Sequence, residues 1–363
     1  MSVPAFDPKE LTVVSEIPGM FNRPPTPVYS FPITPKEAFK GMMSRKAVWQ
    51  IMGMGVESKL FAPKLLPDNV ARAMVMETQT IDPLTEGGGP DMFGIEWEFI
   101  PTAGGSMVRP GKPFLEDANE WREKLVWPDI DSWDWEGAAK ANNDSFLKTD
   151  MYVTVWFQTG FYERLISLMD FEGAIMALAD EDQQDAVKAL FDKLSDLYIK
   201  IFDKFITYFP GIDGFCVHDD WGSQKETFFS PAIVEEMIVP YMRKLTDFIH
   251  SKGKFCELHS CGQILKQVPN MIKAGWDSWA GQPMNDTQKI YEMYGDKIVI
   301  GVIPDLVDPE TTSEDEQRAM ARAFADKFCQ PGKPSFLNYN GMVPMTNVYR
   351  EELYKQSRIN YAK

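Results

Sequence analysis

The chain has 363 residues, of which 44% are hydrophobic and 25% are charged, and its formal net charge is −16. This composition is typical of a globular protein with one large domain or two ordinary ones, and the acidic excess disfavours nucleic acid and anionic membranes as partners. The sequence has no apolar run of the roughly 18 residues that a membrane span requires. Its amino terminus does not have the pattern of a secretion signal, and its few cysteines indicate no disulfide framework. We therefore expect a cytoplasmic protein.

The first residues of the chain show little regular periodicity. Residues 1–35 contain many prolines and predict an irregular arm on the surface. A helix is predicted from about Pro35, and the apolar run 47–52 that follows it predicts a first strand.

Residues 65–150 carry mixed signals. Residues 92–99 alternate like a strand, glycines and prolines follow them, and a tryptophan-rich stretch spans 127–135. No sharp change in composition marks a domain boundary here. We therefore interpret 65–150 as an insertion or cap within a single domain that covers residues 1–363.

Strands and helices alternate regularly after this predicted cap. β-branched and aromatic residues at 151–157 predict a strand, and a helix follows from about Phe161. Apolar residues recur at helical spacing over 183–208, and Ser230 before a proline is typical of a helix start. The same alternation continues to the end of the chain. In total, strands are predicted near residues 48, 95, 154, 216, 256, 278, 300 and 337.

This series of strands separated by helices predicts an α/β fold with a parallel sheet, closed as a (β/α)8 barrel of the TIM type. In such barrels the residues of the active site lie at the carboxyl ends of the strands. The polar clusters of this chain fall at those positions, which makes them the candidate site.

The segment 254–262 ends a predicted strand with side chains that can bind a metal. Because side chains alternate along a strand, Glu257, His259 and Cys261 project to one side, with successive Cα atoms roughly 6.6 Å apart. Imidazole nitrogen and thiolate sulfur are ligands that zinc favours, so His259 and Cys261 are candidate zinc ligands. Glu257 also needs a partner, the metal or an arginine, because burial of an unpaired carboxylate is costly. The alternative is that His259 and Cys261 are ordinary buried residues.

His218, Asp219 and Asp220 end the preceding predicted strand. Neighbouring parallel strands lie about 4.8 Å apart, so we expect these side chains beside His259. One of the two carboxylates is a candidate to complete the zinc shell, to fix the His259 ring or to act as a general base. We predict that the three residues form the catalytic group. The alternative is that Asp219 or Asp220 caps the following helix.

Aromatic side chains near predicted strand ends are candidates to line a flat substrate or a cofactor. The alternative is ordinary core packing. With Asn340 in the turn after the last strand, the residues predicted to bind substrate are Trp156, Trp221, Trp279, Tyr339 and Asn340.

The other cysteines are expected to lie outside the site. Cys329 ends a predicted helix, which places it on the opposite face of a barrel from the strand ends, and Cys216 and Cys256 occupy strand interiors. The sequence has no glycine-rich phosphate loop, no nucleophile elbow and no paired zinc-finger cysteines. Nucleotide-dependent, acyl-serine and zinc-finger functions are therefore disfavoured.

The runs 218–224, 229–232, 249–253 and 258–262 together resemble the uroporphyrinogen decarboxylase superfamily. They read His-Asp-Asp-Trp-Gly-Ser-Gln, Phe-Ser-Pro-Ala, Ile-His-Ser-Lys-Gly and Leu-His-Ser-Cys-Gly. The resemblance covers roughly residues 150–345 and is closest to the branch of methyltransferases that work with corrinoid proteins. It implies a (β/α)8 barrel, in agreement with the strand count.

In the zinc-dependent members of this branch, His-x-Cys and a cysteine from the turn after the last strand hold a metal that activates a methyl-accepting thiol. His259 and Cys261 match the first part, but the turn reads Asn-Tyr-Asn-Gly over 338–341 and contains no cysteine. This departure weighs against a thiol acceptor. Other members pass methyl groups to or from folate without zinc, and others move a methyl group from a phenyl methyl ether to the Co(I) of a corrinoid protein.

Cleavage of an aryl ether requires an acid at the ether oxygen. A zinc site of His259, Cys261 and one carboxylate, with an open position, suits this requirement. The expected function is therefore methyl transfer from a small methoxylated aromatic donor to a partner corrinoid protein, with zinc as cofactor. Two alternatives stay open: methyl transfer from a methyl-corrinoid to tetrahydrofolate without zinc, and a non-catalytic corrinoid or tetrapyrrole binder. A homodimer is also open.

Overall fold

The computed structural model describes residues 4–18, 25–102, 104–338 and 345–363. Its strands are β1 (Val13–Ile17), β2 (Thr26–Tyr29), β3 (Ser58–Phe61), β4 (Gly89–Pro90), β5 (Glu96–Ile100), β6 (Gly105–Val108), β7 (Tyr152–Phe157), β8 (Gly214–His218), β9 (Phe255–His259), β10 (Ser278–Trp279), β11 (Val299–Val302) and β12 (Ser335–Leu337). Its α-helices are α1 (Pro35–Met43), α2 (Pro67–Ala71), α3 (Pro83–Glu86), α4 (Trp121–Lys124), α5 (Trp135–Asn142), α6 (Phe161–Ala179), α7 (Glu181–Tyr208), α8 (Pro231–Met237), α9 (Val239–Ser251), α10 (Val268–Lys273), α11 (Thr287–Tyr294), α12 (Glu314–Phe328) and α13 (Asn347–Tyr361). Among the described helices, none has both the length and the apolar character needed to cross a membrane.

The predicted fold class is confirmed, because parallel strands alternate with helices as in a TIM-type barrel. Strands β7, β8 and β9 pair in parallel in this order, and β10, β11 and β12 do the same. Both β7 and β8 are buried along their whole length, as is usual for parallel strands that are covered on both faces. This burial explains the nearly continuous apolar runs that predicted them.

The described chain forms two compact units. One consists of Met1–Lys59, Asp150–Tyr152 and Asp277–Lys363, and it contains the parallel strands β10 to β12. The other consists of Leu60–Thr149 and Val153–Trp276, and it contains the parallel pairing of β7 to β9 and an antiparallel sheet of β4, β5 and β6. The metal and catalytic residues predicted from the sequence all lie in this second unit.

The proline-rich arm is more regular than the sequence predicts. A 3-10 turn, Pro8–Leu11, is followed by β1 and β2, which pair antiparallel. Glu10 in this turn is buried and accepts hydrogen bonds from Arg358 Nε and Tyr354 Oη, both on α13. The residues of β1 are mostly exposed, so the segment has no apolar alternation that could reveal a strand.

The predicted strand at 47–52 is wrong. Within the described chain, residues 47–52 make one strand-like contact, a parallel bridge between Ile51 and Phe336. The backbone N–H of Met52 donates instead to the Glu57 carboxylate at 3.0 Å, so it is not available to a neighbouring strand. The apolar residues of the run are nevertheless buried, which is the source of the strand-like pattern.

The strand predicted at 92–99 begins later and belongs to a different sheet. Strand β5 starts at Glu96 and pairs antiparallel with β4 and β6. The backbone N–H groups of Phe93 and Ile95 donate to Asp91 Oδ1 at 2.8 and 3.0 Å, which forms a turn before the strand. The sequence pattern also misses β3. The predicted strands near residues 48 and 95 are therefore not strands of the parallel sheet.

Candidate active site

The carboxyl ends of β7, β8 and β9 bring predicted site residues together. In the parallel register, Trp156 lies opposite Cys216, and Cys216 lies opposite Glu257. Further along the same strands, His218 lies opposite His259, and the two imidazole rings stack with their centroids 5.2 Å apart. The two histidines therefore form a pair at the ends of neighbouring strands.

Donor atoms of His218, Asp220 and His259 could hold one metal ion, since they all lie within 4.8 Å of one another. His218 Nε2 is 3.4 Å from Asp220 Oδ1, and Cys261 Sγ is 3.4 Å from His259 Nε2. In a tetrahedral zinc site with bonds of about 2.0 to 2.3 Å, two ligand atoms are roughly 3.3 to 3.8 Å apart. Both 3.4 Å separations suit zinc, and His218, Asp220 and His259 would hold it with the fourth tetrahedral position open, while Cys261 lies beside His259.

The ring of His218 is held in one orientation by a backbone carbonyl. His218 Nδ1 lies 2.9 Å from the carbonyl oxygen of Gln158. Because a carbonyl oxygen only accepts hydrogen bonds, Nδ1 carries a proton, and Nε2 faces Asp220. Metal-binding histidines are commonly oriented in this way through their other ring nitrogen.

The surroundings of the two histidines set their protonation. Desolvation by the surrounding protein, together with the nearby His218, lowers the pKa of His259 to about 4, so this imidazole is neutral at pH 7. Burial acts in the same direction on His218, but the Asp220 carboxylate outweighs it and raises the pKa of His218. Burial alone would raise the pKa of Asp220, but the charge of His218 and its hydrogen bond hold that pKa well below its usual range.

Cys261 is held close to the same carboxylate. Its backbone N–H donates to Asp220 Oδ1 at 2.7 Å. Burial and the charge of Asp220 raise the pKa of the Cys261 thiol to about 12, so the thiol keeps its proton at pH 7 unless a cation compensates the thiolate. Gly262 then turns the chain with φ of 91°, where a Cβ would collide with the backbone of Gly222.

The structure does not bring Glu257 into the group that could hold a metal. Glu257 lies opposite Cys216, two residues before the histidine pair on each strand. Its charge contributes to the raised pKa of the Cys216 thiol. The place that we predicted for Glu257 is taken by His218 and Asp220. The reason is that Asp220 follows the end of β8 and is turned back toward the site by the N–H of Cys261.

Asp219 has a structural role that differs from the predicted catalytic one. Its Oδ1 accepts the backbone N–H of Glu163 at 2.8 Å, and its Oδ2 accepts the indole N–H of Trp221 at 2.9 Å. Helix α6 begins after Gly160, which has no side chain to cap it, so Asp219, the residue after β8, supplies the missing cap. Burial raises the pKa of Asp219 to about 7. Because both oxygens are engaged, Asp219 is no longer part of the catalytic group that we propose.

Two tryptophans predicted to bind substrate are placed differently. The ring of Trp156 lies against the histidines, with centroid distances of 5.0 Å to His259 and 6.0 Å to His218. Trp221 is fully buried, and its backbone N–H donates to Ser260 Oγ at 3.1 Å. Packing and hydrogen bonding account for Trp221, so Trp156 is the stronger candidate for a substrate contact.

The remaining residues predicted to bind substrate are not placed at this site. Trp279 is buried in the unit that contains β10 to β12, where its ring packs against Gly281. Tyr339 and Asn340 lie outside the described residues. The roles of these three residues stay predictions.

Sequence reasoning missed Arg72, Glu163 and Gln158. Arg72 Nη1 pairs with Glu163 Oε2 at 2.7 Å, and its guanidinium lies 4.4 Å from the ring centroid of Trp97. Arg72 follows α2, in the region of mixed signals where no periodicity pointed to it. Gln158 directly follows β7 in the same alternating row as Trp156, so its position at a strand end could have identified it.

Cys329 is expected to have no role at the site. It is buried at the end of α12, and its thiol donates to Gln50 Oε1 at 3.0 Å. We expect Cys329→Ser to keep wild-type zinc content and to change the free energy of unfolding by no more than about 1 kcal/mol, because a hydroxyl can keep this hydrogen bond. Plasma mass spectrometry and urea unfolding test this, and loss of zinc would place Cys329 among the ligands.

The chain is similar to proteins of known family. The profile described as Uroporphyrinogen decarboxylase (URO-D) matches residues 163–330, which confirms the resemblance over this segment. No curated protein sequence matches the chain significantly.

One of the similar solved structures shares the fold of this chain. A methyltransferase from Methanosarcina mazei is similar with a TM-score of 0.55 and 14% sequence identity, over 90% of this chain and 98% of that chain. At this identity the likeness shows the fold alone. Pyruvate carboxylase from Rhizobium etli is more distant, with a TM-score of 0.31 and 13% identity, over 99% of this chain and 33% of that chain.

Proposed function

We propose that this chain, which matches the uroporphyrinogen decarboxylase family over residues 163–330, is a methyltransferase that moves a methyl group from a methoxylated aromatic donor to the Co(I) of a corrinoid protein. The observation that carries the proposal is the convergence of His218, Asp220 and His259, with Cys261 beside them, at the ends of parallel strands. A methyltransferase from Methanosarcina mazei has the same fold, which is compatible with this reaction class.

The reaction places a clear demand on the site. When the methyl C–O bond of an aryl ether breaks, the electron pair of that bond stays on the aryl oxygen. This oxygen therefore needs a positive group or a proton donor beside it. Zinc, when bound, would supply that positive charge as a Lewis acid.

The residues present fit zinc by their chemistry as well as by their spacing. Two imidazoles, a carboxylate and a thiol are all ligand types of zinc sites. His259 is neutral at pH 7, so its lone pair is available. Asp220 keeps its negative charge. The thiol of Cys261 loses its proton only beside a cation, so it would join the ligand set in place of one of the other three donors, which keeps the fourth zinc position open for the aryl oxygen.

The chain's own residues orient these groups. The Gln158 carbonyl fixes the His218 ring, and the Cys261 N–H fixes Asp220. The Trp156 ring lies 5.0 Å from the His259 ring, so an aromatic donor bound at the histidines would contact it. Contacts between aromatic rings at 4.5 to 7 Å contribute about 0.5–1.5 kcal/mol beyond burial.

Anaerobic incubation of the purified chain with 2-methoxyphenol and cob(I)alamin tests the proposal. We expect equimolar release of the demethylated phenol and methylation of the corrinoid, followed by chromatography and absorbance, and neither product without the chain. Methyl transfer from methylcobalamin to tetrahydrofolate instead would favour the folate alternative. Corrinoid binding with neither reaction would indicate a non-catalytic binder.

A further inference from the structure

Unpartnered polar groups are concentrated at the carboxyl end of β7, beside the histidines. The indole N–H of Trp156 and the hydroxyl of Thr159 are enclosed and have no hydrogen-bond partner among the described residues. Gln158 lies between them, is only 4% exposed, and its side-chain amide makes no hydrogen bond within the described part of the chain. Buried polar groups nearly always have a partner in native proteins. The Trp156 indole N–H and the Thr159 hydroxyl are enclosed, so the Gln158 amide is the polar group of this stretch that a ligand can reach.

Gln158 is the accessible member of this cluster. Neither its amide nitrogen nor its amide oxygen is among the enclosed unpartnered atoms, so the amide borders space that water or a ligand can occupy. The backbone carbonyl of the same residue accepts the N–H of His218 at 2.9 Å, which places Gln158 next to the proposed metal site. Alternation along the strand puts its side chain in the row of Trp156, which contacts His259.

An apolar wall adjoins the same tryptophan. Trp156 forms a small core cluster with Ala62 and Cys216, and the partly buried side chains of Leu60, Met74 and Met76 pack against it. Ala62 and Met76 exchange two backbone hydrogen bonds of 2.9 Å, so this wall has a fixed backbone. Methionine side chains adapt to irregular apolar shapes. An apolar wall with a few convergent polar groups is the usual make-up of a small-molecule site.

We infer that Gln158 determines donor specificity by hydrogen-bonding an oxygen substituent next to the methoxy group of the donor. The ring of the donor lies against Trp156 and the apolar wall. An amide both donates and accepts, so it suits a hydroxyl group. Donors with an adjacent hydroxyl are therefore favoured over donors that leave the amide unpaired. This inference rests on the proposed function and names the substrate class within it.

Isothermal titration of the purified chain with 2-methoxyphenol and with methoxybenzene tests the inference without any turnover. The wild type is expected to bind 2-methoxyphenol about tenfold more tightly, which is the effect of one hydrogen bond in a buried site. In Gln158→Leu we expect about a tenfold loss of affinity for 2-methoxyphenol and less than about a twofold change for methoxybenzene. Thr159→Val is the matched control and should keep the wild-type preference, because its hydroxyl is enclosed.

The outcomes separate this inference from the proposed function. Equal binding of the two donors by the wild type, or an unchanged preference in Gln158→Leu, overturns the inference and leaves the proposed function in place. Binding of neither donor overturns both. Gln158→Met, with a side chain of similar volume, takes the place of the leucine variant if leucine lowers the unfolding temperature.

Discussion

In the His259→Ala variant we expect zinc binding and methyl transfer to be lost while the fold stays intact. The ring of His259 is half-buried, and its described contacts are with Trp156, His218 and Cys261. Its removal therefore takes away a donor nitrogen without disturbing a helix or the strand pairing. Zinc affinity should fall by at least about 100-fold, since loss of even an outer hydrogen-bond partner of a ligand costs 10- to 100-fold.

The measurement is zinc content after a chelator wash, by plasma mass spectrometry, together with the initial rate of methyl transfer and the circular dichroism spectrum. The wild type should hold about one zinc per chain. His250→Ala is the matched control, because His250 Nε2 also lies 3.4 Å from a thiol, that of Cys256, but outside the group of His218, Asp220 and His259. This control should keep its zinc.

Stoichiometric zinc in His259→Ala would contradict the site, and loss of zinc in His250→Ala instead would move the site to the other histidine. A wild type that turns over without zinc would assign the acid role to His218. Its pKa is raised by Asp220 despite burial, so it can carry a proton to the aryl oxygen.

The strand ends of the site were predictable because their cause is local. Strands β7 and β8 are buried on both faces, and this leaves apolar runs that the sequence displays. Side chains alternate along β9, so Glu257 and His259 lie on the same side of the strand, as its alternating burial shows. Alternation within one strand cannot show which residue of the neighbouring strand lies opposite a given residue. The opposition of His218 and His259 depends on the register between β8 and β9.

The parts that sequence reasoning missed depend on contacts between residues far apart in the chain. Asp219 caps α6, whose first residues lie more than fifty positions earlier. Arg72 comes from the region predicted to be a cap, and only the fold brings it to Glu163. The false strand at 47–52 has a local cause instead, because the carboxylate of Glu57, five residues after Met52, takes a backbone N–H that a strand would use. No periodicity in the sequence records such contacts.

Replacement of Arg164 by methionine is expected to lower the free energy of unfolding by about 3–5 kcal/mol at pH 7. Arg164 is 0% exposed and forms ion pairs with Asp68 and Asp91, each 1% exposed, with Nη1 at 2.8 Å from Asp91 Oδ2. Methionine would fill much of the volume but would leave two buried carboxylates without this cation. Removal of one partner from a buried ion pair is costly because the other charge stays desolvated.

The loss of stability should be larger at pH 7 than at pH 5. Burial raises the pKa of Asp91, and Arg164 acts against this rise, so the pKa of Asp91 should rise further in the variant. A carboxyl group whose pKa is higher in the folded chain keeps its proton there after the unfolded chain has lost it. The free energy of unfolding of the variant therefore falls as the pH rises from the ordinary carboxyl pKa to the raised pKa of Asp91. Urea unfolding of both proteins at the two pH values measures this difference.

Arg243→Met is the matched control for Arg164→Met, because Arg243 also pairs with an aspartate, Asp247, at 2.7 Å, but both side chains are more than half exposed. An exposed pair contributes at most about 1 kcal/mol. Equal losses in the two variants, or a loss that does not depend on pH, would show that Arg164 does not act as a buried counter-charge.

Arg164 also follows Glu163, the partner of Arg72, so two ion pairs join α2 and the residue after it to the start of α6. Arg164→Met should therefore loosen the segment that carries Arg72 before it affects the pairing of β7, β8 and β9.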